Sequence, residues 1–164
     1  MLEIVLIAHN IRSIHNLGSI FRTAEGFGVC KIYLSGYTPS PNSGLPHVRA
    51  KIAGQLHKTA LGAENIVPHE NNLASEALFK KLRADGYKIV GLEQDERAIK
   101  LSDYKPSSKV ALLLGEEVHG ITPELRDLCD ELIEIPMYGK KESFNVAVAT
   151  GIALYHLTTT ASAP

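Results

Sequence analysis

Three groups of polar residues in this 164-residue chain have the types and spacing to build a site. Asn16 and Arg22 form the first, six positions apart. The run Gly115-Glu116-Glu117-Val118-His119-Gly120 is the second. Ser143-Phe144-Asn145 is the third, preceded by Lys140, Lys141 and Glu142. An amide both donates and accepts, a carboxylate accepts, and a guanidinium is a rigid five-donor fork suited to carboxylate or phosphate. Each group also has a plain structural account: a helix cap, a surface arginine, an acidic turn. Nucleotide fingerprints of the Gly-x-Gly-x-x-Gly and Gly-x-x-x-x-Gly-Lys kinds do not occur, nor does the Gly-x-Ser-x-Gly hydrolase elbow. The seven histidines are scattered without His-Glu-x-x-His spacing, so no metal site is expected.

All three groups follow a short apolar run, and a short apolar run rich in branched residues reads as a buried strand. Residues 2 to 8 are such a run, and so are 29 to 34, 87 to 92, 109 to 114 and 132 to 135. Asn16 reads as the cap of a helix reaching about Phe27, with Gly28 as its stop. The Pro- and Gly-rich stretch 36 to 46 is a long loop. Residues 47 to 63 read as short helical turns and 65 to 68 as a short strand. Asn72 is positioned to cap an amphipathic helix with Leu73, Ala77, Leu78 and Leu82 on one face. Residues 93 to 108 read as a charged loop. Thr122 and Pro123 give the cap and first position of a helix over 123 to 129. Ser143 reads as the opening of a long apolar helix to about Leu157, apolar nearly all round and therefore expected to be buried on every side.

Strands alternating with helices predict an α/β fold, a mainly parallel sheet with helices on both faces. In an open sheet of that kind the strand ends form the ligand crevice, where the three polar groups would meet. The length fits one domain, 1 to 164, with no linker or internal repeat. Composition is that of a globular protein, 45% hydrophobic and 21% charged, without a membrane-length apolar run. The N-terminus lacks the basic region of a signal peptide, and Cys30 and Cys129 form no Cys-x-x-Cys pair, which favours a cytoplasmic setting. Net charge is only −1, yet residues 9 to 58 hold six basic side chains against the single acid Glu25. A basic half on a neutral protein can be a footprint for phosphates.

At these residues the chain resembles the SpoU/TrmH branch of the SPOUT RNA methyltransferases, which methylate ribose 2′-hydroxyls. Asn16-Leu-Gly-Ser-Ile-Phe-Arg22-Thr-Ala resembles the first motif of that family. Leu113-Leu-Gly-Glu-Glu117-Val-His-Gly120-Ile resembles the second. Ile135-Pro-Met and Ser143-Phe-Asn145-Val-Ala-Val-Ala resemble the third, and Lys58 to Glu64 a stretch between the first two. The resemblance covers nearly the whole chain, and its specificity lies in three blocks in the right order.

The resemblance implies a C-terminal deep trefoil knot, a homodimer formed in part through the last helix, S-adenosylmethionine as cofactor, no metal, and tRNA or rRNA as substrate. It implies that Asn16, Arg22, Glu117, Ser143 and Asn145 form the catalytic set, the others positioning Arg22. Leu92, Leu114, Gly115, Gly120, Ile135, Met137, Phe144 and Val146 would hold the cofactor. Arg12, Arg22, Arg49, Lys58, Lys140 and Lys141 would face RNA. Two departures stand out: Phe144 replaces the family's leucine, and Glu116 replaces a frequent asparagine. With no N-terminal RNA-binding domain expected, substrate choice would fall to the basic region and Lys140-Lys141. The rival reading is a non-catalytic RNA-binding or ribosome-assembly module of the same fold. From the residues alone, a generic nucleotide-binding α/β protein is also open.

Overall fold

The computed structural model describes residues 2–42, 44–71 and 75–161. Seven strands form one sheet: β1 (Glu3–His9), β2 (Lys31–Ser35), β3 (His69–Asn71), β4 (Lys88–Leu92), β5 (Ile99–Lys100), β6 (Lys109–Leu114) and β7 (Glu131–Glu134). Their order is β3-β2-β1-β6-β4-β7-β5, and every pairing is parallel. All carboxyl ends therefore lie along one edge. The register sets Ala8 beside Leu114, Gly91 beside Leu113 and Leu92 beside Ile133.

Among the described residues five helices cover the sheet: α1 (Ile14–Gly26), α2 (Pro46–Ala60), α3 (Ser75–Ala84), α4 (Pro123–Asp127) and α5 (Val146–Ala161). Because successive strand side chains point to opposite faces, a continuous apolar strand feeds two cores. Ile4, Leu6 and Ala8 of β1 pack with Leu112, Leu114, Ile20 and Phe21 of α1, Leu56 of α2 and Leu154 of α5. Val5 and Ile7 join Leu113, Leu78, Phe79 and Leu82 of α3, and Leu125 of α4, on the other face. Fully buried, Phe21 or Leu6 each contributes about 1.5–3 kcal/mol of transfer free energy.

Several local expectations are corrected. The cap of α1 is Ser13, whose hydroxyl accepts from the Asn16 backbone N–H at 3.2 Å, which leaves Asn16 in the first turn with its amide available for other partners. At α5 the cap is Asn145 rather than Ser143: its Oδ1 accepts from Ala147 N at 2.9 Å and Val148 N at 3.4 Å, and the helix starts at Val146. Residues 46 to 60 form one continuous helix opened by Pro46 and stopped by Leu61 and Gly62, both with positive φ. The third strand lies at 69 to 71, after a 3-10 turn over 63 to 65, instead of at 65 to 68. The stretch 93 to 108 contains the short β5 and a 3-10 turn at 101 to 103. Asn72 and Leu73 fall outside the described residues. Within one copy of the chain, helix α5 is not buried on every side. Thr150, Ala153, Leu154 and Leu157 are buried, but Val148, Ile152 and Tyr155 are exposed.

Candidate functional site

The polar groups converge at the carboxyl edge, and a chain of hydrogen bonds links all three. Glu117, from the loop after β6, accepts from Ser13 N at 3.0 Å and Arg12 N at 3.1 Å, at the start of α1. It also accepts from Asn16 Nδ2 at 3.1 Å. Asn16 Oδ1 in turn accepts from Asn145 Nδ2 at 3.1 Å. Asn145 thereby spends its carbonyl on capping α5 and its amide on Asn16. Partial burial pushes the Glu117 carboxyl up, but the donations from Ser13, Arg12 and Asn16 outweigh it and hold the group below the ordinary carboxylate range.

Beside this relay lies a cavity of about 240 Å³ between the ends of β4, β6 and β7 and the start of α5. Seven of the eight residues expected to hold a cofactor line it: Leu92, Leu114, Gly115, Gly120, Ile135, Phe144 and Val146. Glu117 and Ser143 line it too; Met137, half-buried in the loop 135 to 145, does not. The wall at Gly115 is backbone on backbone. A Cβ there would stand 2.4 Å from the Gly120 carbonyl carbon and 2.5 Å from Ile121 N. Gly120 has φ +66° and closes the loop through reciprocal bonds with Glu116 at 2.8 and 3.1 Å. Both glycines are thus required by geometry.

Arg22 stands apart from the relay. It is exposed on α1, does not line the cavity, and makes no hydrogen bond or ion pair among the described residues. The expected contacts from Asn16, Glu117, Ser143 and Asn145 to Arg22 are therefore not formed within one copy of the chain. Six residues along a helix place Asn16 and Arg22 on different sides of it. Of the expected RNA-facing residues, Arg12 is exposed but lies 3.5 Å from Glu116. Arg49 and Lys58 are exposed on α2, and Lys140 and Lys141 on the loop before α5. Lys31, counted in the basic half, is paired with Glu70 at 2.5 Å, and His57 with Glu64 at 2.7 Å.

Two cavity residues are not legible as site residues in the sequence. Glu93 and Gln94 follow β4 within a stretch that reads as charged loop, and no motif marks them. Their placement depends on β4 lying between β6 and β7, which only the sheet order reveals.

Comparison with known proteins bears on this site. The model of the SpoU rRNA Methylase family matches residues 3–155. The tRNA (guanosine(18)-2′-O)-methyltransferase of Aquifex aeolicus (strain VF5) is 31% identical over 155 residues, covering 93% of this chain and 67% of its own. The 23S rRNA (guanosine-2′-O-)-methyltransferase RlmB of Escherichia coli (strain K12) is 35% identical over 153 residues, covering 92% of this chain and 58% of its own. The crystal structure of an AdoMet-bound rRNA methyltransferase from Sinorhizobium meliloti aligns with TM-score 0.84 and 26% identity, over 99% of this chain and 57% of that one. This chain thus corresponds to between just over half and two thirds of each of these relatives.

Proposed function

This chain belongs to the SpoU rRNA methylase family, and we propose that it transfers a methyl group from S-adenosylmethionine to a ribose 2′-hydroxyl of tRNA or rRNA. The observation that carries the reading is the hydrogen-bonded relay Glu117–Asn16–Asn145, whose Glu117 lines a cavity walled by both apolar and polar residues. Two relatives named as guanosine 2′-O-methyltransferases and an AdoMet-bound structural neighbour support it.

The residues present fit the cofactor. Leu92, Leu114, Ile135, Phe144 and Val146 offer apolar walls for an adenosine, and the Cβ-free positions at Gly115 and Gly120 let the Gly120–Ile121 backbone and the Glu93 carboxylate close the wall beside them. Met137, just outside the cavity, would contribute from the loop. When bound, S-adenosylmethionine supplies an electrophilic methyl on a sulfonium. The chain's own task is to align a ribose oxygen with it and to manage the proton and charge that result. Asn16, Ser143 and Asn145 are polar groups held at the right edge for alignment. Arg22 has an uncommitted fork, suited to clamping a phosphate and stabilising a developing alkoxide. A guanidinium stays protonated in proteins, which favours the clamp over a general base.

The wider assignment follows the same reading. Arg12, Arg49, Lys58, Lys140 and Lys141 would supply phosphate attraction. The exposed face Val148, Ile152 and Tyr155 on α5 supports a homodimer through that helix. The loop 135 to 145 crosses from the end of β7 past β4 and β6 to bring α5 against α1, which supports the family's trefoil knot. One catalytic domain acting in the cytoplasm completes the proposal. No helix of the described residues is long and apolar enough to cross a membrane.

The test is transfer of label from radioactive S-adenosylmethionine to unmodified tRNA and rRNA pools, with ribose methylation mapped in the product. Label in one pool names the substrate class. Cofactor binding without label in either pool, or no binding at all, overturns the enzyme reading in favour of an RNA-binding module.

A further inference from the structure

One wall of the cavity is held by a side chain to which no role has been assigned. Glu93 follows the last residue of β4 and turns its carboxylate across to the loop after β6. Its Oε2 accepts from the backbone N–H of Ile121 at 2.7 Å, and its Oε1 from Gln94 N at 2.9 Å. Ile121 is 1% exposed, so without Glu93 its N–H would be buried and unpaired. The same carboxylate fills the space over Gly120. A Cβ at Gly120 would lie 2.0 Å from Glu93 Oε2. The neighbouring Gln94 reaches the other way and donates from Nε2 to the Ile135 carbonyl at 2.7 Å, while Glu93 N donates to Ile133 O at 3.0 Å. Two consecutive residues thus tie the end of β4 to the loops after both flanking strands. Glu93, Gln94, Gly120 and Ile135 all line the cavity.

We propose that Glu93 is a positioning residue for S-adenosylmethionine, holding the Gly120–Ile121 backbone against the end of β4 so that the pocket wall is formed before the cofactor enters. The proposal rests on the methyltransferase reading above. Charge-assisted bonds to backbone N–H groups are the strong kind, and a preformed wall removes an ordering cost that would otherwise weaken binding. Glu93 acts through the loop rather than on the reacting atoms, so its loss should appear in cofactor affinity more than in the chemical step.

The experiment measures S-adenosylmethionine Kd by calorimetry, and KM and kcat by methyl transfer, for wild type, Glu93→Ala, Glu93→Asp and Glu93→Gln. The Ala and Asp variants, which lose or withdraw the acceptor, are expected to raise Kd and KM about tenfold with most of kcat retained. The Gln variant keeps one oxygen for Ile121 N but turns its NH2 toward Gln94 N, so its Kd and KM are expected to fall between those of wild type and Ala. If Glu93→Ala does not fold, Glu93→Asp is judged by the same numbers. Cofactor affinity within twofold of wild type in a folded Ala or Asp variant overturns the proposal, as does a loss confined to kcat. Wild-type protein that binds no S-adenosylmethionine sinks the methyltransferase reading itself, a separate outcome.

Discussion

Asn145 Nδ2 donates to Asn16 Oδ1 at 3.1 Å, joining two residues 129 positions apart in the chain. Neither amide has a spare role locally: Asn145 Oδ1 caps α5, and Asn16 Nδ2 serves Glu117. The relay therefore couples the last helix to the first through the loop after β6. Asn145→Ala removes a cap and the tie together and is expected to cost about 1–2 kcal/mol. Asn145→Asp keeps the capping acceptor but loses the donor toward Asn16. Chemical denaturation should show Asp close to wild type and Ala clearly weaker, while both lower methyl transfer. Equal stability losses would mean that the bond to Asn16, not the cap, dominates.

Glu117 has a definite pH signature. Its folded-state pKa is depressed below the ordinary carboxylate value, so the stability it contributes is present above that value and is lost as pH falls through the folded one. Glu117→Gln replaces a pure acceptor by an amide whose NH2 meets the Ser13 or Arg12 N–H. The expected loss is about 1–3 kcal/mol at neutral pH. The stabilities of the two proteins should converge below the ordinary glutamate value of about 4.3, as the wild-type carboxyl takes up its proton. A gap that persists unchanged into acid would assign the effect to packing rather than charge.

The cavity wall allows a sharp steric prediction. A methyl at Gly115 would meet the Gly120 carbonyl carbon, the Ile121 nitrogen and the Gly120 oxygen at 2.4 to 2.6 Å, all backbone atoms that no rotamer change can move. Gly115→Ala is expected to destabilise the protein by about 1–3 kcal/mol and to abolish measurable S-adenosylmethionine binding. Gly139 is the control, because a Cβ added there would have nothing within 4 Å. Thermal unfolding and calorimetry on Gly115→Ala and Gly139→Ala should differ accordingly.

How far the sequence reaches can be judged from these same residues. Lys109–Leu114 is strand at the expected bounds, because a continuous apolar run has no other stable place in a sheet covered on both faces. The Thr122-Pro123 start of α4 is equally legible, since a capping hydroxyl and a first-position proline are local signals. Cap choice between near neighbours is not. Ser13 and Asn16, or Ser143 and Asn145, are chemically equivalent candidates, and tertiary partners decide: Asn16 is claimed by Glu117 and Asn145 points to Asn16. Glu93 is invisible for the same reason, because its partner Ile121 is brought to it only by the pairing of β4 beside β6. The exposed side of α5 cannot be read either, since an all-apolar helix gives no periodicity to say which face lacks a neighbour.

Arg22 tests the chemistry without disturbing the pocket. It is exposed and makes no hydrogen bond or ion pair among the described residues, so Arg22→Ala should unfold with wild type and bind S-adenosylmethionine normally. Methyl transfer to RNA is expected to fall by roughly 10²–10³, the scale of a lost charge-stabilising donor. Arg22→Lys should recover little, because a point charge cannot reproduce a bidentate fork. Transfer at near wild-type rate in Arg22→Ala would remove Arg22 from the catalytic set.

The outer face of α5 makes the last prediction. Val148, Ile152 and Tyr155 recur at the spacing of one helix face and are 52%, 37% and 62% exposed, while the opposite face, with Ala153, Leu154 and Leu157, is fully buried against the sheet. Contiguous apolar surface of this kind on a helix marks a candidate contact with another chain. In a symmetric dimer the same patch meets itself, so one substitution acts twice across the interface. Ile152→Glu would place two like charges in that contact and is expected to convert a dimer to monomer in sedimentation velocity. The monomer should keep its fold, because the side chain faces away from the core. Methyl transfer measured on the same sample then reports whether the exposed Arg22 needs a second copy to reach the relay. Wild-type protein that sediments as a monomer, or Ile152→Glu that remains dimeric, would take α5 out of the interface.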